Sequence, residues 1–183
     1  MTIVEAFRES IAFFYEMKAE GIIRDYALIG GLALSAWLRP RTTRDVDLVV
    51  VLSKTVSWSH LVSFLETRLK KKIAMQKGSA RTNIKEKLSF VLGQIEVDVI
   101  SAQGFDLAAE AVKAAVPVEV FGAQVNVATP EYLILLKLLP LSEQDAVDIK
   151  SLLKKADKSK VATLAKKHFL QQKLESIRGR RER

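Results

Sequence analysis

The chain has 183 residues, enough for one domain with a small helical appendage, and a domain of this size buries about 70% of the surface its unfolded chain exposes. It contains no cysteine, which excludes disulfides, thiolate metal sites and cysteine nucleophiles, and its two histidines, His60 and His168, lie too far apart in sequence to suggest a zinc site. The net charge of +8 is lopsided: Lys150 to Arg183 carries twelve basic and three acidic residues, a block that favours polyanions such as nucleic acid or, more plainly, forms a solvated helical face.

Residues 2–20 read as an amphipathic helix, with Ile3, Phe7, Ile11, Phe14 and Met17 at three- and four-residue spacing and Gly21 as the stop. Charges run through this segment, so it does not resemble a signal peptide, and no apolar run reaches the ~18 residues that span a bilayer. A cytoplasmic protein is expected. Tyr26 to Ile29 reads as a short strand entering Gly30-Gly31, followed by a helix from Leu32 to Leu38 that Arg39-Pro40 closes. Thr42 to Leu52 is rich in valine and reads as a buried strand. Ser59 to Lys70 follows as a helix, and Lys87 to Ile100 as two strands turning near Gly93-Gln94. Phe105 to Ala115 reads as a helix, and Val118–Phe121 with Gln124–Val127 as a second hairpin.

From Thr129 the pattern becomes helical. Thr129 caps and Pro130 opens a helix to about Leu139, then Glu143 to Lys155 and Ser159 to Ile177 form two more. The expected architecture is α+β: a mixed sheet flanked by helices over residues 1–128, and a helical part over 129–183 packed on it, with a basic tail at 178–183.

Chemistry concentrates in Arg41-Thr42-Thr43-Arg44-Asp45-Val46-Asp47. On an extended strand residues two apart share a face, so Arg41, Thr43, Asp45 and Asp47 line up together. Neighbouring carboxylates repel, and a divalent cation between them reverses that sign. Magnesium takes oxygen ligands and is held by one or two carboxylates plus substrate phosphates. Ile95-Glu96-Val97-Asp98-Val99-Ile100 would supply a third carboxylate, Asp98, from an apolar strand where an unpaired acid is costly. Gly30-Gly31, fifteen residues ahead of Asp45, would let a phosphate approach a helix N-terminus.

Leu28-Ile29-Gly30-Gly31, Arg41-x-Thr43-x-Asp45-x-Asp47 and the later Asp98 together resemble the DNA polymerase β-like nucleotidyltransferase superfamily. Thr129 to Leu139 with Gln144-Asp145-Ala146-Val147-Asp148-Ile149 is similar to the AbiEii-type group of toxin–antitoxin systems, where a helix lysine, here Lys137, and a downstream pair of aspartates accompany the core. Gln144 stands where that group usually has a basic residue.

The resemblance implies transfer of a nucleoside monophosphate from an NTP, such as ATP, to an acceptor hydroxyl on a tRNA end or a protein side chain, with a cognate toxin or antitoxin as partner. It implies two Mg²⁺ ions about 3.5–4 Å apart on Asp45, Asp47 and Asp98. Lys137 would offset phosphate charge, and Gly30, Gly31, Arg41, Arg44 and Asp148 would contact the nucleotide or orient the site. Two alternatives stand beside it: a catalytically inactive nucleotide- or partner-binding protein of this fold, and transfer to a small-molecule antibiotic.

Overall fold

The computed structural model describes residues 1–38, 43, 45–73, 75–77 and 84–179. Helix α1 (Ile3–Ala19) opens on a capping box in which Thr2 and Glu5 exchange side-chain-to-backbone hydrogen bonds, and it buries Phe7, Ile11, Phe14 and Met17 as the spacing predicts. Strand β1 (Ile23–Ile29) begins earlier than the apolar run Tyr26–Ile29, because Ile23 and Asp25 still find partners in Leu52 and Val51 around a register shift at Arg24.

Strand β1 feeds directly into α2 (Gly30–Trp37) and pairs antiparallel with β2 (Asp45–Leu52). After α3 (Trp58–Leu69) come β3 (Met75–Lys77), β4 (Glu86–Leu92), β5 (Ile95–Ser101), α4 (Asp106–Lys113), β6 (Val116–Val120) and β7 (Ala123–Val127). The seven strands form one mixed sheet in the order β3-β4-β5-β2-β1-β7-β6. The short β3 has no clear signal in the sequence. It exists because β4 offers it an open edge, pairing Met75 with Leu88 and Lys77 with Glu86.

The sheet's centre is apolar on both faces: Val46, Leu48, Val49, Val50, Val97 and Val99 are all fully buried. Helix α1 lies across β1, β2, β5 and β7, while α2 and α4 pack against β1 and β2. Helix α5 (Pro130–Leu138) is apolar almost all round, since it is enclosed by α2, α4, α6 (Glu143–Leu152) and α7 (Lys158–Lys167).

The expected single helix over 159–177 is two helices, α7 and α8 (Gln171–Gly179). The break is a left-handed turn at Phe169, which lets Leu170, Leu174 and Ile177 return to the core. Helix α6 likewise stops at Leu152, short of Lys155. Residues 180–183 of the basic tail lie outside the described residues. No described helix is long and apolar enough to cross a membrane.

Candidate active site

The site is built where β2 begins, between its two neighbours. Strand β5 runs parallel to β2, with Asp45 opposite Glu96 and Asp47 opposite Asp98. On the other side Ile29, the last residue of β1, pairs with Asp47. The three acids named from the sequence, Asp45, Asp47 and Asp98, are thus brought to one end of adjacent strands. Thr43 precedes the strand rather than filling it, and its hydroxyl points at the Asp45 carbonyl at 3.5 Å. Arg41 and Arg44 lie outside the described residues.

Burial pushes the Asp47 carboxyl up to about 6, helped by the charges of Asp98 and Asp45 and only partly offset by Lys87 and Lys137. The side chain therefore sits in a field that resists its ionisation, which an added cation would relieve.

Gly30 explains how Asp47 fits. Its φ of +67° places it in the left-handed region, and a Cβ there would lie 1.9 Å from Asp47 Oδ2 and 2.5 Å from its Cγ. The glycine leaves room for the carboxylate at the mouth of α2. This is a different need from the phosphate approach that the sequence suggested.

Asp98 is differently placed. Lys87 Nζ lies 2.6 Å from its Oδ2, and Ser89 Oγ donates to its Oδ1 at 2.5 Å. Both partners come from β4, where Ser89 stands directly opposite Asp98. Sequence reasoning missed Lys87 and Ser89. The two-residue turn at Gly93-Gln94 was a usable signal, since counting back from it sets the register that makes Ser89 and Asp98 neighbours. No described basic side chain forms a salt bridge with Asp45 or Asp47, and among the described residues no three acidic or histidine side chains form a preformed metal cage. The donor set still suits magnesium: paired carboxylates, one of them destabilised as an anion, with the third held on a lysine.

The helical layer contributes Lys137, near the end of α5. Its ammonium lies 2.8 Å from both Asp145 Oδ1 and Asp148 Oδ2, and its side chain is only 15% exposed. It is paired rather than snorkelling to solvent. Asp145 also closes the capping box of α6, accepting from the Ser142 backbone N–H at 3.0 Å and from its hydroxyl at 2.7 Å. Burial works to raise the Asp145 carboxyl, but hydrogen bonds from Lys137 and Ser142 outweigh it and hold it below the usual range. Gln144 donates to Asp148 Oδ1 at 3.1 Å, so an uncharged amide steadies the buried aspartate.

These features, a glycine-opened helix over paired strand carboxylates with a lysine held by two helix aspartates, coincide with a family match covering residues 15–181, described as "Nucleotidyl transferase AbiEii toxin, Type IV TA system". The chain belongs to the AbiEii nucleotidyltransferase family. It is a transferase of the nucleotidyl class in a toxin–antitoxin context.

No curated protein matches the AbiEii chain. Among solved structures it is similar to an antigenic nucleotidyltransferase-like protein from Paracoccidioides brasiliensis, at 19% identity and a TM-score of 0.55, covering 91% of this chain and 88% of that one. It is also similar to ANT(2'')-Ia in complex with adenylyl-2''-tobramycin, at 15% identity and a TM-score of 0.58, covering 97% and 98%. At such identities these likenesses establish the nucleotidyltransferase fold, α+β with a mixed sheet, and nothing finer.

Proposed function

We propose that this AbiEii protein is a Mg²⁺-dependent enzyme that moves a nucleoside monophosphate from an NTP to an acceptor hydroxyl. The observation that carries the reading is the alignment of Asp47 with Asp98 across β2 and β5 under Gly30, with the Asp47 carboxyl raised by burial and by its acidic neighbours. Repulsion of that kind opposes stability and is relieved by a bound cation.

Asp45 and Asp47 would hold magnesium on the triphosphate side, and Asp98 would join them on the acceptor side. Bound there, the metal would neutralise charge and lower the acceptor hydroxyl's pKa. The acceptor oxygen forms a bond to the α-phosphorus as the bond to pyrophosphate breaks, and the hydroxyl proton passes to Asp98, which must first let go of Lys87. Lys137, fixed by Asp145 and Asp148, sets its ammonium against phosphate charge that builds during transfer. Gly31 and any phosphate contact from Arg41 or Arg44 complete nucleotide binding.

For the acceptor, the exposed lysines of α7 favour RNA, such as a tRNA end, over a cationic antibiotic, which would want an acidic face. A protein hydroxyl is the other outcome of the test, and a cognate antitoxin the expected regulator. The protein is incubated with labelled NTPs, Mg²⁺, total tRNA and lysate beside an Asp47→Ala control. Label on RNA that vanishes in the control and in EDTA supports the full reading, and label on protein moves the acceptor. No Asp47-dependent label on any acceptor overturns it and leaves a binding protein of this fold.

A further inference from the structure

The turn between α7 and α8 contains a residue that folding alone does not explain. His168 caps α7, the Phe169 N–H returns to the Lys166 carbonyl at 3.3 Å, and the Leu170 N–H returns to the Ala165 carbonyl at 2.7 Å. This is the helix stop in which the residue after the cap is left-handed and is usually glycine. Here it is Phe169, with φ of +59° and 95% exposed. A bulky aromatic is poorly suited to that backbone, and an exposed ring gains nothing from packing.

Among the described residues, the other left-handed apolar positions have reasons in the fold. Phe121 stacks edge-on against Phe7 with centroids 5.7 Å apart, and Leu141 packs against the core. Phe169 does neither.

Its surroundings are cationic. Lys166 is exposed three residues before it, and Lys167, two before it, pairs with Glu110 of α4 at 2.8 Å; further along the two helices, Lys158 and Lys160 are exposed at the start of α7, Lys160 within 3.8 Å of Glu131, and Arg178 is exposed at the end of α8. The acids of these two helices are few and engaged: Asp157 accepts the Ser159 and Lys160 backbone N–H groups, and Glu175 accepts from Gln171. A flat apolar ring with Lys166 one helical turn away and further cations along the same two helices matches an extended ligand that combines π-faces with repeated negative charge. Unpaired nucleotides have both.

We propose that the α7–α8 turn is a docking site for single-stranded nucleic acid, in which Phe169 stacks on a base while Lys166 and the cations further along α7 and α8 hold phosphates on either side of it. This deepens the proposed function, resting on it only in that the docked strand would be the acceptor. Binding itself needs no catalysis.

The test measures fluorescence anisotropy of a labelled single-stranded oligoribonucleotide, with its duplex form as comparison, on the full chain, Phe169→Gly, Phe169→Trp, Lys166→Ala and Asp47→Ala. Stacking of one base predicts a loss of about tenfold in affinity for Phe169→Gly. The same change relieves the strained backbone, so its Tm should rise while its affinity falls. Phe169→Trp should retain binding, and Lys166→Ala should lower the salt dependence by roughly one contact. Wild type that ignores the oligonucleotide, or Phe169→Gly that binds it as wild type does, overturns the proposal. So does a requirement for Phe169 in capture of an acidic protein partner without oligonucleotide binding. Asp47→Ala separates the two ideas: normal docking without transfer keeps both, whereas transfer that persists in Asp47→Ala sinks the catalytic reading alone.

Discussion

The position of Gly30 can be tested by a single added methyl. Gly30→Ala meets two penalties, a left-handed backbone at φ +67° and a Cβ placed 1.9 Å from Asp47 Oδ2. The first costs about 1 kcal/mol for a non-glycine residue. Gly21 isolates it, since its φ is +71° and a Cβ there would meet nothing within 4 Å. The second demands that the carboxylate retreat by roughly 1.5 Å to reach ordinary contact, an overpacking that costs about 1–3 kcal/mol.

Urea unfolding should therefore show Gly21→Ala about 1 kcal/mol less stable than wild type and Gly30→Ala about 2–4 kcal/mol less stable. In Gly30→Ala/Asp47→Ala part of the excess should disappear, because Oδ2 and Cγ of Asp47 have gone while its Cβ still lies 2.8 Å from the new methyl. A carboxylate displaced by more than ~1 Å should also lower transfer by about 100-fold or more and weaken Mn²⁺ binding, while Gly21→Ala leaves both unchanged. If the two alanine variants were equally stable, and Gly30→Ala bound Mn²⁺ like wild type, the packing of Asp47 against Gly30 would be wrong.

Lys87→Met should lower the stability of metal-free protein in EDTA and tighten Mn²⁺ binding, since Asp98 loses the ammonium at 2.6 Å that competes with the ion; a Mn²⁺ titration read by loss of the free-ion EPR signal checks it. Lys137→Met leaves Asp145 and Asp148 facing each other without their shared cation, and should cost about 3 kcal/mol in chemical unfolding besides reducing transfer. Glu131 predicts the acid limb. Burial tends to raise its carboxyl, but hydrogen bonds from the Thr129 hydroxyl and the Asp157 N–H hold it below its ordinary 4.5. Its contribution is present above that unfolded value and is lost as pH falls through the lower folded one. Glu131→Gln should flatten the fall in Tm below about pH 4.5, and an unchanged acid limb would remove Glu131 from that role.

Much of the framework could be read from local pattern. The valine-rich run through Asp47 could hardly be anything but a central strand, and the Asp-x-Asp spacing put two acids on one face whatever lay beside it. The split of the last helix at Phe169 was hidden, because no glycine or proline marks the turn. Strand β3 was hidden for another reason: three residues carry no usable periodicity, and only the edge of β4 makes them a strand.

Sequence by itself determined the kind of chemistry available: oxygen ligands without thiols, acids at strand spacing, a lysine on an apolar helix and a basic end. It also set the type of most elements, β3 and the break at Phe169 apart, since type depends largely on neighbours within a few residues. Tertiary structure decided which groups meet. Asp98 reaches Asp47 through a parallel pairing that joins strands far apart in the chain, and Lys87 reaches Asp98 through the next strand over. Likewise Lys137 lies between two aspartates only because α6 folds back against α5. Such contacts are set by sheet order and register, to which distant segments contribute jointly, so no single stretch of sequence contains them.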